Sequence, residues 1–298
     1  MGKVERLKNK NALRPAPKEK RKYSFGAIFG YPDPKTLPDS YRIQTLGVKN
    51  QQADGAEDGC GPYALTAIRE VQEKVKLDPA FSMGMAKEGY DWKEWGNSLD
   101  AIAKASLKGF LEEGRSPYTF KKDGRDFVSN PANWKEAERQ EALKHETKSW
   151  FWVGESSKYD LFDCIRSALY RVKDTKNGAI TGVLWDTFWG TFINSLLKGD
   201  SGHCVAIIGW EKYNGEECLV IQNSFGEEFG DKGLNYFTRK TVNKLFSFGV
   251  AMFLDMPEDG THESILEKSK LYRMNFIQKI LNAVLTFIKS FGEYYDSR

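Results

Sequence analysis

Four cysteines and three histidines make the reactive inventory of this 298-residue chain small enough to sort one by one. Cys60 stands in Asp58-Gly59-Cys60-Gly61-Pro62-Tyr63-Ala64, directly ahead of an apolar stripe at helical spacing, and Pro62 suits the first turn of a helix. At a helix N-terminus the amide dipoles favour thiolate over thiol, and a nearby imidazolium favours it further. A thiolate beside an imidazole is the chemistry of nucleophilic attack on a carbonyl. The remaining cysteines read as small apolar side chains. Cys164 falls on the apolar side of a helix, and Cys204 and Cys218 are placed on the strand face away from His203.

His203 is the histidine able to serve such a thiol. It opens the strand-like run His203–Trp210, which a connection containing Asn214-Gly215 joins to Cys218–Asn223. A turn centred on Tyr213 sets His203 opposite Asn223 on one face of the sheet, whereas a turn centred on Asn214-Gly215 puts them on opposite faces. A carboxamide beside the ring would fix its orientation and tautomer while the other ring nitrogen handles a proton. His145 lies in the charged stretch Lys144–Lys148 and is expected to be solvated, and His262 follows Gly260. Neither has metal-ligand spacing to a second His or Cys, so neither a metal nor a cofactor is expected. Gly199-Asp200-Ser201-Gly202 is a serine flanked for nucleophilic work, but His145 alone precedes it and no serine triad is expected.

Helical signals dominate residues 61–175. One stripe follows Cys60, a second starts after Ser98 as N-cap with Gly114 as its expected stop, and a third runs from Asp160 to Val172. Strands follow at Ile180–Trp185, His203–Trp210, Cys218–Asn223 and Leu234–Thr238, with an apolar run from Phe248 to Met256. Helices first and antiparallel strands later is an α+β pattern.

The two ends differ from this body. Residues 1–22 carry a net charge of +7, so the +3 of the whole chain leaves the rest at −4. This basic arm has no apolar run behind it, and its expected uses are solvation or docking on an acidic partner. No aromatic precedes Tyr23, so nucleic acid is not an expected partner. The Gly- and Pro-rich Tyr23–Pro38 should run extended, held by its aromatics. After Pro257-Glu258-Asp259-Gly260, apolar residues from Phe276 to Phe291 recur at helical spacing, an amphipathic helix suited to packing, self-association or a membrane surface. No stretch is long and apolar enough for a membrane span, and few cysteines with no leader point to a cytoplasmic setting.

Taken together, these segments resemble the papain-like cysteine peptidases. Leu37-Pro38-Asp39, Val48-Lys49-Asn50-Gln51 and Gly59-Cys60 before a helix are similar to the start of the mature enzymes. Gly202-His203-Cys204-Val205-Ala206-Ile207-Ile208-Gly209-Trp210 resembles the family's histidine strand. The block from Gln222-Asn223-Ser224-Phe225-Gly226 through Phe229-Gly230 to Gly233-Leu234 resembles its asparagine block. Gly96-Asn97-Ser98-Leu99 and Ser116-Pro117-Tyr118 are similar to the glycine-containing cleft segment and the Pro-Tyr beyond it. The likeness spans about residues 37–256 in the order cysteine, histidine, asparagine.

The resemblance implies a two-lobed α+β fold, helical in one lobe and antiparallel β in the other, that hydrolyses extended peptides through a Cys60 thioester. His203 would be base and acid, Asn223 its orienter, and the Cys60 amide with Gln51 the oxyanion donors, Gln52 being the other candidate. Gly96, Asn97, Trp185 and Gly202 would line the substrate. Domain boundaries are expected at 1–36 for the arm, 37–257 for the peptidase and 258–298 for the linker and helix. Gly61 replaces the usual tryptophan, and Phe225 and Phe229 replace two more, still able to shield the His203–Asn223 bond. Asp54, Glu57 and Asp58 would raise the thiol pKa and favour basic substrates. Missing disulfides and a short leader resemble the short bacterial and viral members without the usual pro-segment. An alignment that puts Pro62 at the nucleophile position makes an inactive binding or virion-associated protein, and a cysteine acyltransferase or isopeptidase would use the same residues.

Overall fold

The computed structural model describes residues 24–173, 179–184, 202–246 and 249–254, together with the backbone of Leu13–Arg14. Short elements lead into the site: β1 (Leu13–Arg14), α1 (Phe25–Phe29) and β2 (Tyr41–Arg42), then the central helix α2 (Cys60–Glu73). Every residue from Cys60 to Val71 is buried, because α2 runs between further helices and the sheet. Burying each of its large apolar side chains, such as Leu65 and Ile68, contributes roughly 1.5–3 kcal/mol. The charges it carries inward are paired: Glu70 accepts from the amide of Leu77 at 2.9 Å and Lys49 Nζ at 3.0 Å.

After α2 come β3 (Leu77–Asp78), α3 (Pro79–Ala86), β4 (Asn97–Ser98), α4 (Leu99–Ser106), β5 (Leu111–Glu112), α5 (Phe120–Asp123), α6 (Arg125–Ser129) and α7 (Glu136–Ala142). Their starts are written in the sequence. Asp78 caps α3, accepting from the Ala80 amide at 2.7 Å with Pro79 behind it, and Ser98 caps α4 as expected. The stop of α4 is a correction: it ends at Ser106 rather than near Gly114. At Gly109 (φ 86°) the chain passes so close to α7 that a Cβ would lie 1.8 Å from the Ala142 carbonyl oxygen, and there it turns into β5.

The second lobe is a seven-stranded antiparallel sheet. Its remaining elements are β6 (Ser149–Val153), α8 (Leu161–Arg171), β7 (Ala179–Leu184), β8 (Gly202–Tyr213), β9 (Glu216–Gln222), β10 (Leu234–Thr238), α9 (Arg239–Leu245) and β11 (Val250–Leu254). The strand order is β10-β9-β8-β7-β11-β6, with β2 added to β8. This is the two-lobed α+β architecture expected of the sequence. Strand β6 departs from the helical reading of 61–175. All five of its residues are buried, so the period-2 alternation that betrays a half-exposed strand is absent.

The hairpin register resolves in an unexpected way. Tyr213 pairs with Glu216, so the turn is the two-residue Asn214-Gly215, both with positive φ. That register alone would separate His203 and Asn223. A bulge between Ile207 and Gly209 shifts the pairing by one residue, and Ala206 then faces Gln222. The shift returns His203 and Asn223 to one face. Gly209 permits it, because β2 crosses so near that a Cβ there would sit 2.0 Å from the Tyr41 carbonyl oxygen.

Around the edge, Tyr23–Pro38 is not wholly extended, since Phe25–Phe29 closes into helix. Its aromatics hold it all the same: Phe25 is fully buried, Phe29 meets Phe151 edge-on at 5.2 Å, and Tyr31 donates to the Gly154 carbonyl at 3.0 Å. His145 is not solvated but half-buried between Glu73 and Glu112, at 3.5 and 3.4 Å. Trp185, the C-terminal helix and residues 1–23 apart from Leu13–Arg14 lie outside the described residues. Among those described, no helix is long and apolar enough to cross a membrane.

Candidate active site

Cys60 is the first residue of α2 and is 1% exposed. The N-cap is Gly59, whose lack of a side chain leaves the first turn without the side-chain bond that caps α3 and α4. Burial pushes the Cys60 thiol up to about 12; the amides of Cys204, Gly61 and Cys60 itself pull against the rise, and Asp58 adds to it. The Cys204 amide follows His203 directly, so the thiol sits against the histidine strand. Gly61 is needed by the packing, since a Cβ there would come within 2.1 Å of Ile102 Cδ1 on α4.

His203 is buried in β8, and its Nε2 lies 3.1 Å from Asn223 Oδ1. That oxygen also accepts from the Ser224 amide at 2.7 Å. An atom approached by a backbone N–H must be the carboxamide oxygen, which fixes the flip of Asn223. His203 Nε2 therefore carries the hydrogen, and in the neutral ring the lone pair is on Nδ1. Burial pulls the imidazole down to about 4, with the Asn223 bond acting in the opposite direction. Phe225 stacks on the ring at 4.8 Å and Phe229 packs edge-on against Phe225 at 5.3 Å, so the two phenylalanines cover the pair as the sequence led us to expect.

The helix-terminal amides favour the thiolate as expected, while burial works against it, raising the thiol and lowering the imidazole. Asp58 acts on the thiol as anticipated, yet its carboxylate is spoken for by Arg125, and Asp54 accepts from Tyr63 Oη at 2.8 Å. The charge of Asp58 is thereby paired within the protein.

Gln51 is buried and Gln52 exposed. Gln51 Oε1 accepts from Ser224 Oγ at 2.6 Å, while its Nε2 donates to the carbonyls of Ala56 and Glu57 at 3.2 and 3.1 Å. The glutamine thus ties the loop before the nucleophile to the residue after Asn223. Ser224 was missed as part of this set; its signal in the sequence was only its place beside the asparagine.

Gly96 (φ 72°) precedes β4, whose Asn97 and Ser98 pair in parallel with Leu13 and Arg14. Gly202 begins β8 and faces Leu184 of β7, next to His203 facing Val183. Strand β1 also lies against β8. Two backbone residues of the arm therefore run between the segment expected to bind substrate and the strand that carries the histidine. No cluster of metal-ligating side chains occurs among the described residues.

Residues 94–251, more than half of the chain, match the family model described as papain family cysteine protease. No curated protein sequence matches the chain. The fold is similar to that of xylellain, a cysteine protease from Xylella fastidiosa, with a TM-score of 0.63 at 14% identity, over 84% of this chain and 97% of that one. It is also similar to the bromelain protease of Ananas comosus, solved with the E64 inhibitor (TM-score 0.52, 17% identity, 74% of this chain and 100% of that one). A third likeness is to digestive procathepsin L 3 of the Tenebrio molitor larval midgut (TM-score 0.52, 13% identity, 79% and 76%).

Proposed function

The chain belongs to the papain family of cysteine proteases and is a cysteine peptidase; from this premise we propose how its own residues divide the work. Cys60 Sγ attacks the scissile carbonyl carbon and passes its proton to His203 Nδ1. The carbonyl π electrons move to oxygen, and the oxyanion is held by the Cys60 amide and by Gln51 Nε2, which must first release one of its two bonds to the Ala56 and Glu57 carbonyls. Collapse breaks the C–N bond as the imidazolium returns the proton to the leaving amine, leaving a thioester on Cys60. Water, deprotonated by the same nitrogen, attacks the thioester carbonyl; the C–S bond breaks, the acid leaves, and the imidazolium returns the proton to Cys60 Sγ. A neutral pair can run this sequence, because the proton leaves sulfur as the S–C bond forms.

The observation that carries this reading is the His203–Asn223 bond with its tautomer fixed, on a strand whose next amide reaches the Cys60 thiol. That amide also favours Cys60 over Pro62 as the nucleophile position. The test is hydrolysis of extended peptides by wild type and Cys60→Ala: activity present in the first and absent in the second supports it, and equal rates refute it.

Substrate would run extended along Asn97–Ser98, opposite Gly202, with Trp185 and Gly96 completing the walls. The pairing of Leu13–Arg14 supports this, since that edge already takes a strand of the chain itself. In the same reading, residues 37–257 are the peptidase domain, 1–36 the arm and 258–298 the linker and helix. The grouping of contacts into 1–255 and 256–298 supports the second boundary. The arm's first occupant would be this edge, with an acidic partner drawing it away, and the C-terminal helix would serve self-association or a membrane surface. Four unpaired cysteines support a reducing, cytoplasmic setting.

A further inference from the structure

Asp58 is an awkward residue to find where it is. It is fully buried two positions ahead of the nucleophile, and its charge opposes thiolate formation. The local turn does not require it, because the Gly59 amide already closes on the Ala56 carbonyl at 2.8 Å. Its carboxylate reaches across to another segment. Oδ2 accepts from the Gly96 amide at 2.9 Å and from Arg125 Nη2 at 2.9 Å, and Oδ1 accepts from Arg125 Nε at 3.3 Å.

Arg125 in turn is spent on the segment ahead of Gly96. It donates to the carbonyls of Trp92 (3.2 Å), Lys93 (3.4 Å) and Glu94 (2.6 Å) and to Asp126 at 2.9 Å, and lies over the Trp95 ring at 5.3 Å. Lys87, 1% exposed, adds bonds to the carbonyls of Glu94 at 2.5 Å and Gly96 at 2.6 Å. Residues 92–96 have no helix or strand of their own to order them. A planar guanidinium with five donors, bracing three consecutive backbone carbonyls against one carboxylate, is a device for fixing such a segment.

We propose that Asp58 and Arg125 are positioning residues of the peptidase, a clamp that holds the peptide-binding edge at Gly96–Asn97 at a set offset from the Cys60 sulfur. The proposal rests on the cysteine-peptidase reading of Cys60. Asp58 spans the two parts directly: its backbone is two residues from the sulfur-bearing residue, and its side chain holds the amide at the head of β4. The clamp touches no reacting atom. Its effect falls on substrates whose backbone uses the edge, and little on those that reach only the nucleophile.

The experiment compares an extended peptide with a single-residue ester, in wild type, Asp58→Asn, Arg125→Gln and Arg125→Lys, alongside amide hydrogen exchange at 96–98 and the pH profile of Cys60 alkylation. In Arg125→Gln the ratio of kcat/KM for peptide to that for ester falls at least tenfold, chiefly through KM, and exchange at 96–98 speeds up at least tenfold. Arg125→Lys, which keeps the charge but not the fork, loses about threefold in the same ratio and serves as the test if Arg125→Gln does not fold. Asp58→Asn lowers the ratio while moving the alkylation profile to lower pH, a shift that a purely structural residue would not give. A ratio within twofold of wild type in the folded arginine variants, or equal losses on both substrates with exchange unchanged, overturns the clamp. Wild type inert to both substrates would instead overturn the peptidase reading.

Discussion

Replacing Asn223 by alanine removes one oxygen that two buried N–H groups share, His203 Nε2–H at 3.1 Å and the Ser224 amide at 2.7 Å. The neutral ring then loses the bond that puts its hydrogen on Nε2, and the tautomer with hydrogen on Nδ1 cannot take the thiol proton. The imidazolium formed during acylation also loses a charge-assisted bond of about 1.5–3 kcal/mol. At about 1.4 kcal/mol per tenfold, kcat should drop by roughly 10- to 150-fold. Stability should fall as well, by about 1–3 kcal/mol for each donor left unpaired. In wild type, burial holds the ring near a pKa of about 4, so it stays neutral and able to accept a proton down to that pH. Asn223→Asp restores an acceptor and places a carboxylate on the ring, which raises the His203 pKa and moves the acid limb of kcat/KM to higher pH. The assay is steady-state peptide hydrolysis from pH 3.5 to 8, with urea unfolding to separate stability from rate. A loss below threefold in kcat for folded Asn223→Ala, or an unmoved acid limb in Asn223→Asp, would refute the reasoning.

Other consequences follow from residues nearby. Gln51→Ala should cost about 10²–10³ in kcat if its amide supplies the oxyanion, while exposed Gln52→Ala stays within twofold; matching losses would assign the donor elsewhere. Deleting residues 1–22 frees the Asn97–Ser98 edge and should lower KM for extended peptides at least threefold with kcat little changed; an unchanged KM removes the arm from the cleft. Asp78, 7% exposed and capping α3, is raised by burial to about 6. The folded chain therefore keeps a proton that the unfolded chain releases above about pH 3.9. Stability should fall as pH rises from about 4 to 6, by about 3 kcal/mol at 1.36 kcal/mol per unit. Asp78→Asn should flatten that slope in chemical unfolding, and an equal slope in both proteins counts against it.

What the sequence made legible was the chemistry and its order along the chain. Cys60 before a helix, His203 on a strand and Asn223 ahead of a glycine-rich block are local patterns, and each keeps its meaning wherever the chain goes. The register between His203 and Asn223 was not local. It depends on a bulge at Ile207–Gly209 that exists because β2, more than 150 residues earlier, crosses at Gly209. Strand β6 was hidden by burial on both faces, and the end of α4 by a contact with α7. The opposing effect of burial on the thiol was hidden for a related reason: a helix terminus can be read from sequence, but desolvation comes from the whole closed site. Asp58 looked like a substrate-attracting charge because its partner Arg125 is distant in sequence, and only packing joins them.

The central claim is that Cys60 carries the acyl group. Intact-mass and peptide mapping of enzyme quenched in acid during turnover of a slowly hydrolysed peptide ester would test it most directly. The expected result is one acyl adduct, mapped to Cys60, that persists longer in a His203→Ala variant acylated with an activated ester. Turnover of the peptide with no adduct on Cys60, or an adduct on Cys164, Cys204 or Cys218 instead, would contradict it.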